Sequence, residues 1–177
     1  MNKSLVEYAE LIREWSIERE LHDKDSRKQI LKLGEEAGEL FSGIAKQKHE
    51  VVKDSIGDVF VVLVIYCQQK GIELDKVLTN FNADFSLYNK NSADSTLYSL
   101  KLMQKIGMLA ADTIHSVNND TTLLQVTWVL EDLRTISQLE NVGLIECVDY
   151  AYNEIKGREG ETINGSFIKK SDLEESE

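Results

Sequence analysis

Two acidic patterns carry the residue types best suited to chemistry in this chain. Glu35, Glu36 and Glu39 fall within Lys32-Leu33-Gly34-Glu35-Glu36-Ala37-Gly38-Glu39-Leu40, and Asp54 and Asp58 within Asp54-Ser55-Ile56-Gly57-Asp58-Val59. On a helix, at about 100° per residue, Glu36 and Glu39 share one flank of an apolar stripe with Lys32 beside them. Glu35 falls opposite that stripe and is expected to be solvated. Asp54 and Asp58 fall in line with Val61, Val62, Ile65 and Gln69, on a stripe that runs into the most apolar segment of the chain. Burying carboxylates there without compensation costs several kcal/mol each. Nearby cations are few: Lys32, Lys46, Lys48 and Lys53. A hard divalent ion such as magnesium takes oxygen ligands and is often shared between carboxylates and a substrate's phosphates. A second reading stays open, in which the glutamates form a solvated face with a Lys32–Glu36 pair at i, i+4.

The elements that must position these acids are helices. The chain contains no proline, which removes the usual punctuation of loops and strands. Apolar periodicity predicts helices over about 4–20 (Ser4 as N-cap), 25–46, 51–69, 73–85, 97–117, 120–139 and 143–157. The segment Val59 to Tyr66 is rich in β-branched residues and has strand propensity. Its polar prefix is spaced for a helix, so a buried helix is expected. Gly34, Gly38 and Gly43 thin the second helix and would let another helix or a ligand come close. The fourteen residues between Glu39 and Asp54 allow an antiparallel hairpin that turns the two acidic patterns toward each other.

Composition sets the frame. With 177 residues, 42% hydrophobic and 29% charged, the chain suits a folded domain, and no run approaches the ~20 apolar residues of a membrane span. A net charge of −11 argues against a nucleic-acid backbone as partner. Any anionic ligand must therefore be met by a metal or a local basic cluster. Cys67 and Cys147 lie in apolar surroundings, consistent with buried thiols in a reducing, cytoplasmic setting, and glutamates occupy the N-terminus where a signal peptide would be apolar.

A polar linker, Tyr88 to Ser95, divides the chain into halves that echo each other. Gly38-Glu39-Leu40-Phe41 faces Gly107-Met108-Leu109-Ala110, and Asp58-Val59-Phe60-Val61 falls near Trp128-Val129-Leu130. The halves are either a duplication whose second copy lost its acids or two helix pairs that share a period. The expected organisation is a single all-α domain, an antiparallel bundle and on the duplication reading a pseudo-repeat of two bundles. Acidic helices occupy 1–85, inserted or degenerate repeat helices 86–144, a C-terminal segment 145–170 and a frayed tail 171–177.

The acidic patterns, in order, resemble the signature of the MazG-like nucleoside triphosphate pyrophosphohydrolases, an ExxE helix followed by an ExxD helix. The resemblance extends upstream through Ile12-Arg13-Glu14-Trp15 and resumes in Ala151-Tyr152-Asn153-Glu154-Ile155-Lys156-Gly157-Arg158 and Asn164-Gly165-Ser166-Phe167-Ile168-Lys169. It is similar to the compact, often phage-encoded members, with 81–144 inserted. The resemblance implies an all-α enzyme that uses Mg2+, with Mn2+ a substitute, to hydrolyse a nucleoside triphosphate to a monophosphate and pyrophosphate. It implies metal-binding and catalytic roles for Glu36, Glu39 and Asp58. Ser55 stands where the family has the glutamate of ExxD, and Asp54 is the candidate replacement ligand. Asn153, Lys156 and Arg158 match the family's phosphate-side residues, and Lys32 is a further substrate candidate; a solvated basic patch ending a helix at Gly157 is the alternative. Trp15 is either a stacking surface for a base or a core aromatic. Family members are usually oligomers, so a dimer is expected. A base-selective dUTP or dCTP pyrophosphatase and a nucleotide-binding module that lost turnover are the rival functions.

Overall fold

The computed structural model describes residues 3–84 and 94–174. The first helix, α1 (Leu5–Glu18), starts at Ser4, whose side chain accepts from the Glu7 amide while the Glu7 carboxylate accepts from the Ser4 amide. This capping box satisfies two otherwise orphaned helix-end donors. The helix α2 (Ser26–Ala45) is capped by Asp25, and α3 (His49–Lys70) follows after a tight turn at Gln47. Val59 to Tyr66 is helical throughout and every residue in it is buried. Strand propensity loses here because helices cover the segment on all sides, and α3 has no sheet to join.

α2 and α3 pack along their length as an antiparallel hairpin. Their apolar faces meet through Leu33, Ala37 and Leu40 on one side and Val52, Ile56 and Phe60 on the other, all buried. A second hairpin, α5 (Ser95–His115) and α6 (Asn119–Leu139), packs on the first mainly through α2 against α5. α7 (Leu144–Ile155) lies against α3, and α1 covers both.

Three expectations change. The fourth helix is a single turn, α4 (Asp75–Leu78), instead of 73–85. The chain leaves the helix at Asn80; Arg134 donates to the Asn82 carbonyl (2.9 Å), and Phe81 packs under the same guanidinium. The linker expected at 88–95 lies mostly outside the described residues.

The C-terminal segment is not wholly helical. It forms an antiparallel hairpin of β1 (Gly160–Ile163) and β2 (Ser166–Lys169), followed by α8 (Lys170–Glu174) across most of the expected frayed tail. Asn164 and Gly165 make its two-residue turn with φ of 51° and 81°, the positive values a type I′ turn requires.

Of the three helix glycines expected to admit another helix or a ligand, only Gly43 has a helix packed against it. A Cβ there would lie 3.1 Å from the Val52 side chain, whereas Gly34 and Gly38 have nothing within 4 Å. Among the helix glycines the tightest approach is at Gly57, where a Cβ would fall 2.2 Å from the Cys147 carbonyl oxygen and 2.6 Å from the Ala151 side chain. α3 and α7 can close only because that side chain is missing. Gly57→Ala should therefore destabilise the protein by about 2 kcal/mol or more through overpacking. Gly107→Ala, in open space on α5, should gain about 0.5–1 kcal/mol from helix propensity. Urea denaturation of both variants checks the pair, and equal effects would contradict the packing.

Candidate functional site

The two acidic helices form one wall and floor of a cleft of about 580 Å³. α2 supplies Lys32, Glu35, Glu36 and Glu39, and α3 supplies Asp54, Asp58, Val61, Val62 and Ile65. The i, i+4, i+7 and i+8 spacing on α3 puts its acids and its apolar residues on one stripe, so the cleft is acidic at one end and apolar at the other. Glu36 is buried at 6% exposure; Glu39 is exposed at the rim. Glu35 is exposed too, but it stands on the cleft rim and not on the far side of the helix. Ser55 is buried and does not line the cleft, whereas Asp54 does.

The charges in the cleft are not balanced internally. Lys32 Nζ reaches Glu36 Oε1 at 2.6 Å and Glu35 Oε1 at 3.0 Å. Burial works against the Lys32 ammonium, but the two carboxylates outweigh it and raise its pKa. Asp58 has no hydrogen bond or ion pair among the described residues. Burial, then repulsion from Glu36 and Asp54, pushes its pKa up to about 7 against the pull of Arg158 and Lys32. Asp54 is raised as well, by burial and by the charges of Glu154 and Glu36, with Arg158 and Lys169 opposing.

Such a set, all oxygen donors drawn from two helices and short of positive charge, fits a hard divalent ion. Among the described residues no three His, Cys, Asp or Glu side chains close into a cage. A divalent ion bound here would take one or two carboxylates and leave its other positions to water and phosphate.

The C-terminal hairpin covers the other side of the cleft. Arg158, Ser166, Phe167, Ile168, Lys169 and Asp172 line it, and a Cβ built at Gly165 would lie 3.5 Å from the Lys28 side chain. Two residues of α1 hold this segment down. Trp15 Nε1 donates to the Ile155 carbonyl at 2.8 Å, and Arg19 Nη2 donates to the Arg158 carbonyl at 3.0 Å. Thr162 donates to the Arg19 carbonyl at 2.7 Å. Trp15 is 7% exposed, meets Phe167 edge-on at 5.3 Å and carries the Arg19 guanidinium 4.5 Å over its ring. It is thus a fixed wall of the cleft with one face already covered.

Arg158 lines the cleft, whereas Asn153 and Lys156 do not. The Asn153 amide donates to the Asp149 carbonyl at 2.8 Å and accepts from Lys156 Nζ at 2.6 Å, so both are spent on their own helix end. Besides Lys32, the cations that join Arg158 at the cleft are Lys28 and Lys169, which the spacing of the acidic motifs does not point to. A signal for Lys169 was present in the sequence. Asn164-Gly165, between Glu161-Thr162-Ile163 and Ser166-Phe167-Ile168, is a strong two-residue hairpin pattern, and pairing it brings Lys169 back beside Gly160. Lys28 offers no such signal, since only the folded hairpin's position makes it a cleft residue.

Comparison with known proteins adds to this geometry. Residues 25–85 match the family model described as the MazG nucleotide pyrophosphohydrolase domain, a span that holds α2, α3 and the acids of the cleft. The chain is also 33% identical, over a 151-residue alignment covering 79% of this chain and 93% of the relative, to an uncharacterised 18.2 kDa protein from the rep–hol intergenic region of Haemophilus phage HP1 (strain HP1c1). No solved structure matches. The described helices and their acidic cleft agree with that family's all-α fold, and none of the helices is long and apolar enough to cross a membrane. The chain belongs to the MazG nucleotide pyrophosphohydrolase family.

Proposed function

We propose that the protein hydrolyses nucleoside triphosphates to monophosphates and pyrophosphate with a divalent metal held at the cleft. The observation that carries this reading is Asp58, a half-buried carboxylate with no cationic partner, facing Glu36 and Asp54 beneath Arg158 and Lys169. Glu36 and Asp58 would hold the ion, with Asp54 and Glu39 at its margin. Bound there, magnesium, or manganese in its place, would neutralise phosphate charge and make a water more acidic. Arg158, with its forked donors, and Lys169 and Lys28, as point charges, receive the phosphates in a chain whose net charge of −11 would otherwise repel them. Trp15, Leu21, Ile65 and Phe167 give the opposite end an apolar wall for the base and exclude water from it.

The product test is direct. Incubation with a panel of NTPs and dNTPs and Mg2+ should yield monophosphate and pyrophosphate as first products. Orthophosphate with diphosphate would overturn the assignment of the bond. Nucleotide binding without any product would favour a binding module over an enzyme, and turnover confined to dUTP or dCTP would favour a base-selective relative.

Asp58 also makes a stability prediction. Its folded pKa, about 7, lies above the ordinary value of 3.8, so its ionised form opposes folding. Without metal, the penalty is absent below about pH 4, grows as pH rises and is complete above about pH 7. Asp58→Asn should therefore stabilise the metal-free protein by a few kcal/mol, on the order of the shift, at pH 8 and by little at pH 4. Wild type but not the variant should gain stability from added Mg2+. Thermal unfolding at the two pH values, with and without Mg2+, measures this.

Asp54 can be separated from Glu35 kinetically. Asp54→Asn should raise the Mg2+ concentration for half-maximal rate, whereas Glu35→Gln, which removes a rim charge, should change it about twofold or less. Equal responses would mean that Asp54 takes no part in holding the ion.

A further inference from the structure

The two helical hairpins agree residue by residue in their turns. Asp25 caps α2 and Asp94 caps α5, 69 positions on. Gln47 and Ser116, again 69 apart, both take positive φ (54° and 51°), and each is followed by an amide bonded back five residues: Lys48 to Gly43 (2.9 Å) and Val117 to Asp112 (3.0 Å). One extra residue in the second inter-helix turn moves the offset to 70. At that offset α3 ends at Gly71 and α6 at Asn141, with φ of 66° and 59°, and Ile72 bonds to Cys67 as Val142 does to Ser137. The buried positions follow the same rule. Leu33, Ala37 and Leu40 pair with Leu102, Ile106 and Leu109; Ile56, Val59 and Leu63 pair with Val126, Val129 and Leu133. Two unrelated amphipathic hairpins would share a period but not the geometry of three helix ends.

The same offsets carry the cleft across. A second, smaller cleft lies between α5 and α6, and each residue that lines it is the counterpart of one that lines the first. On α5, Tyr98, Lys101, Gln104 and Lys105 stand where α2 has Gln29, Lys32, Glu35 and Glu36. On α6, Glu131, Asp132 and Thr135 stand where α3 has Val61, Val62 and Ile65. The chemistry is exchanged. Glu36 has become Lys105, and Val62 has become Asp132, 4% exposed and paired to the Lys105 ammonium. Glu39, Asp54 and Asp58 have become Met108, Leu124 and Trp128.

We infer that residues 95–148 are a second copy of the site-bearing unit 26–78 in which a lysine has taken the place of the metal. Lys105 is the resident cation of the second cleft, fixed by Asp132, so the chain holds one metal centre and not two. Burying Asp132 is tolerated because its counter-charge is covalently part of α5. The three acids that faced an exchangeable ion have no remaining task, and apolar residues occupy their positions. The single-centre part of this inference rests on the metal-binding reading of the first cleft; the lysine–aspartate part does not.

Two measurements on the full chain test it. Mn2+ titration followed by electron paramagnetic resonance should give one tight site per chain, lost in Asp58→Asn and retained in Asp132→Asn. A site that survives Asp58→Asn and disappears in Asp132→Asn would overturn the inference. Failure of wild type to bind Mn2+ at all would sink the metal reading of the first cleft, and with it the single centre. The second measurement needs no metal. In EDTA, Lys105→Met should lower Tm by on the order of 10 °C, because it leaves a buried carboxylate unpaired. The double variant Lys105→Met, Asp132→Val, which restores the residue type of Val62, should recover most of that loss. A Lys105→Met protein as stable as wild type, or a double variant no better than the single, would show that Lys105 is not the resident cation.

Discussion

The cleft is built around a carboxylate that the protein itself does not neutralise. Asp58 sits at the polar end of the most apolar helix, with Glu36 and Asp54 as its charged neighbours and no bonded partner among the described residues. Lys32, the near cation of α2, is engaged by Glu36 and Glu35. Water cannot fully solvate the group and no side chain pairs it, so its ionised state is costly until positive charge arrives. The α2–α3 hairpin thus stores an electrostatic demand that a metal ion and its phosphate ligand can answer together. Under the proposed function, the stability forgone at Asp58 is what would leave a coordination position open.

Holding that arrangement in place falls to parts of the chain far from the acids. Gly57 lets the Cys147 turn of α7 come into contact with α3 one residue before Asp58. α7 runs on from that contact, and Trp15 of α1 and its C-cap Arg19 bind the carbonyls of Ile155 and Arg158. The hairpin that follows reaches back over the cleft with Phe167 and Lys169. A small residue in the middle of a helix therefore helps to set where Arg158 and Lys169 stand at the cleft. Both cysteines are free and buried in this packing, and burial pushes the Cys147 thiol up to about 12, so neither is a ready nucleophile.

The second hairpin shows the same scaffold under a different electrostatic solution. With an ammonium built in at position 105, the α5–α6 pair is complete without a ligand; with a glutamate at position 36, the α2–α3 pair is not. Under the proposed function the difference lies in whether the compensating charge is covalent or exchangeable, and only an exchangeable cation could be shared with a substrate's phosphates. Packed through α2 and α5, the satisfied hairpin gives the unsatisfied one a rigid support.

How much of this was legible beforehand depends on the range of the interaction. Helix ends at Ser4, Asp25 and Asp94 follow from local capping, and the stripe that aligns Asp54 and Asp58 with Val61, Val62 and Ile65 follows from the pitch of one helix. Both are fixed by residues a few positions apart, so the sequence alone determined a helical fold in which each acidic helix carries its carboxylates along one stripe. The Asn164-Gly165 turn was equally local and could have been read as a hairpin. The rest required contacts between residues more than a hundred positions apart. Nothing near Asn153 or Lys156 in sequence distinguishes them from Arg158, yet only Arg158 lines the cleft, while the other two bond to each other and to the Asp149 carbonyl at the end of α7. Glu35 is solvated, as its place opposite the apolar stripe implies, but a wheel gives angles around an axis and not that the rim of a cleft lies there. Lys28 and Lys169 become cleft residues only when the C-terminal hairpin folds over α2. Sequence determined which residues share a face; tertiary structure alone decided which faces meet, because that choice is made by packing across the whole chain.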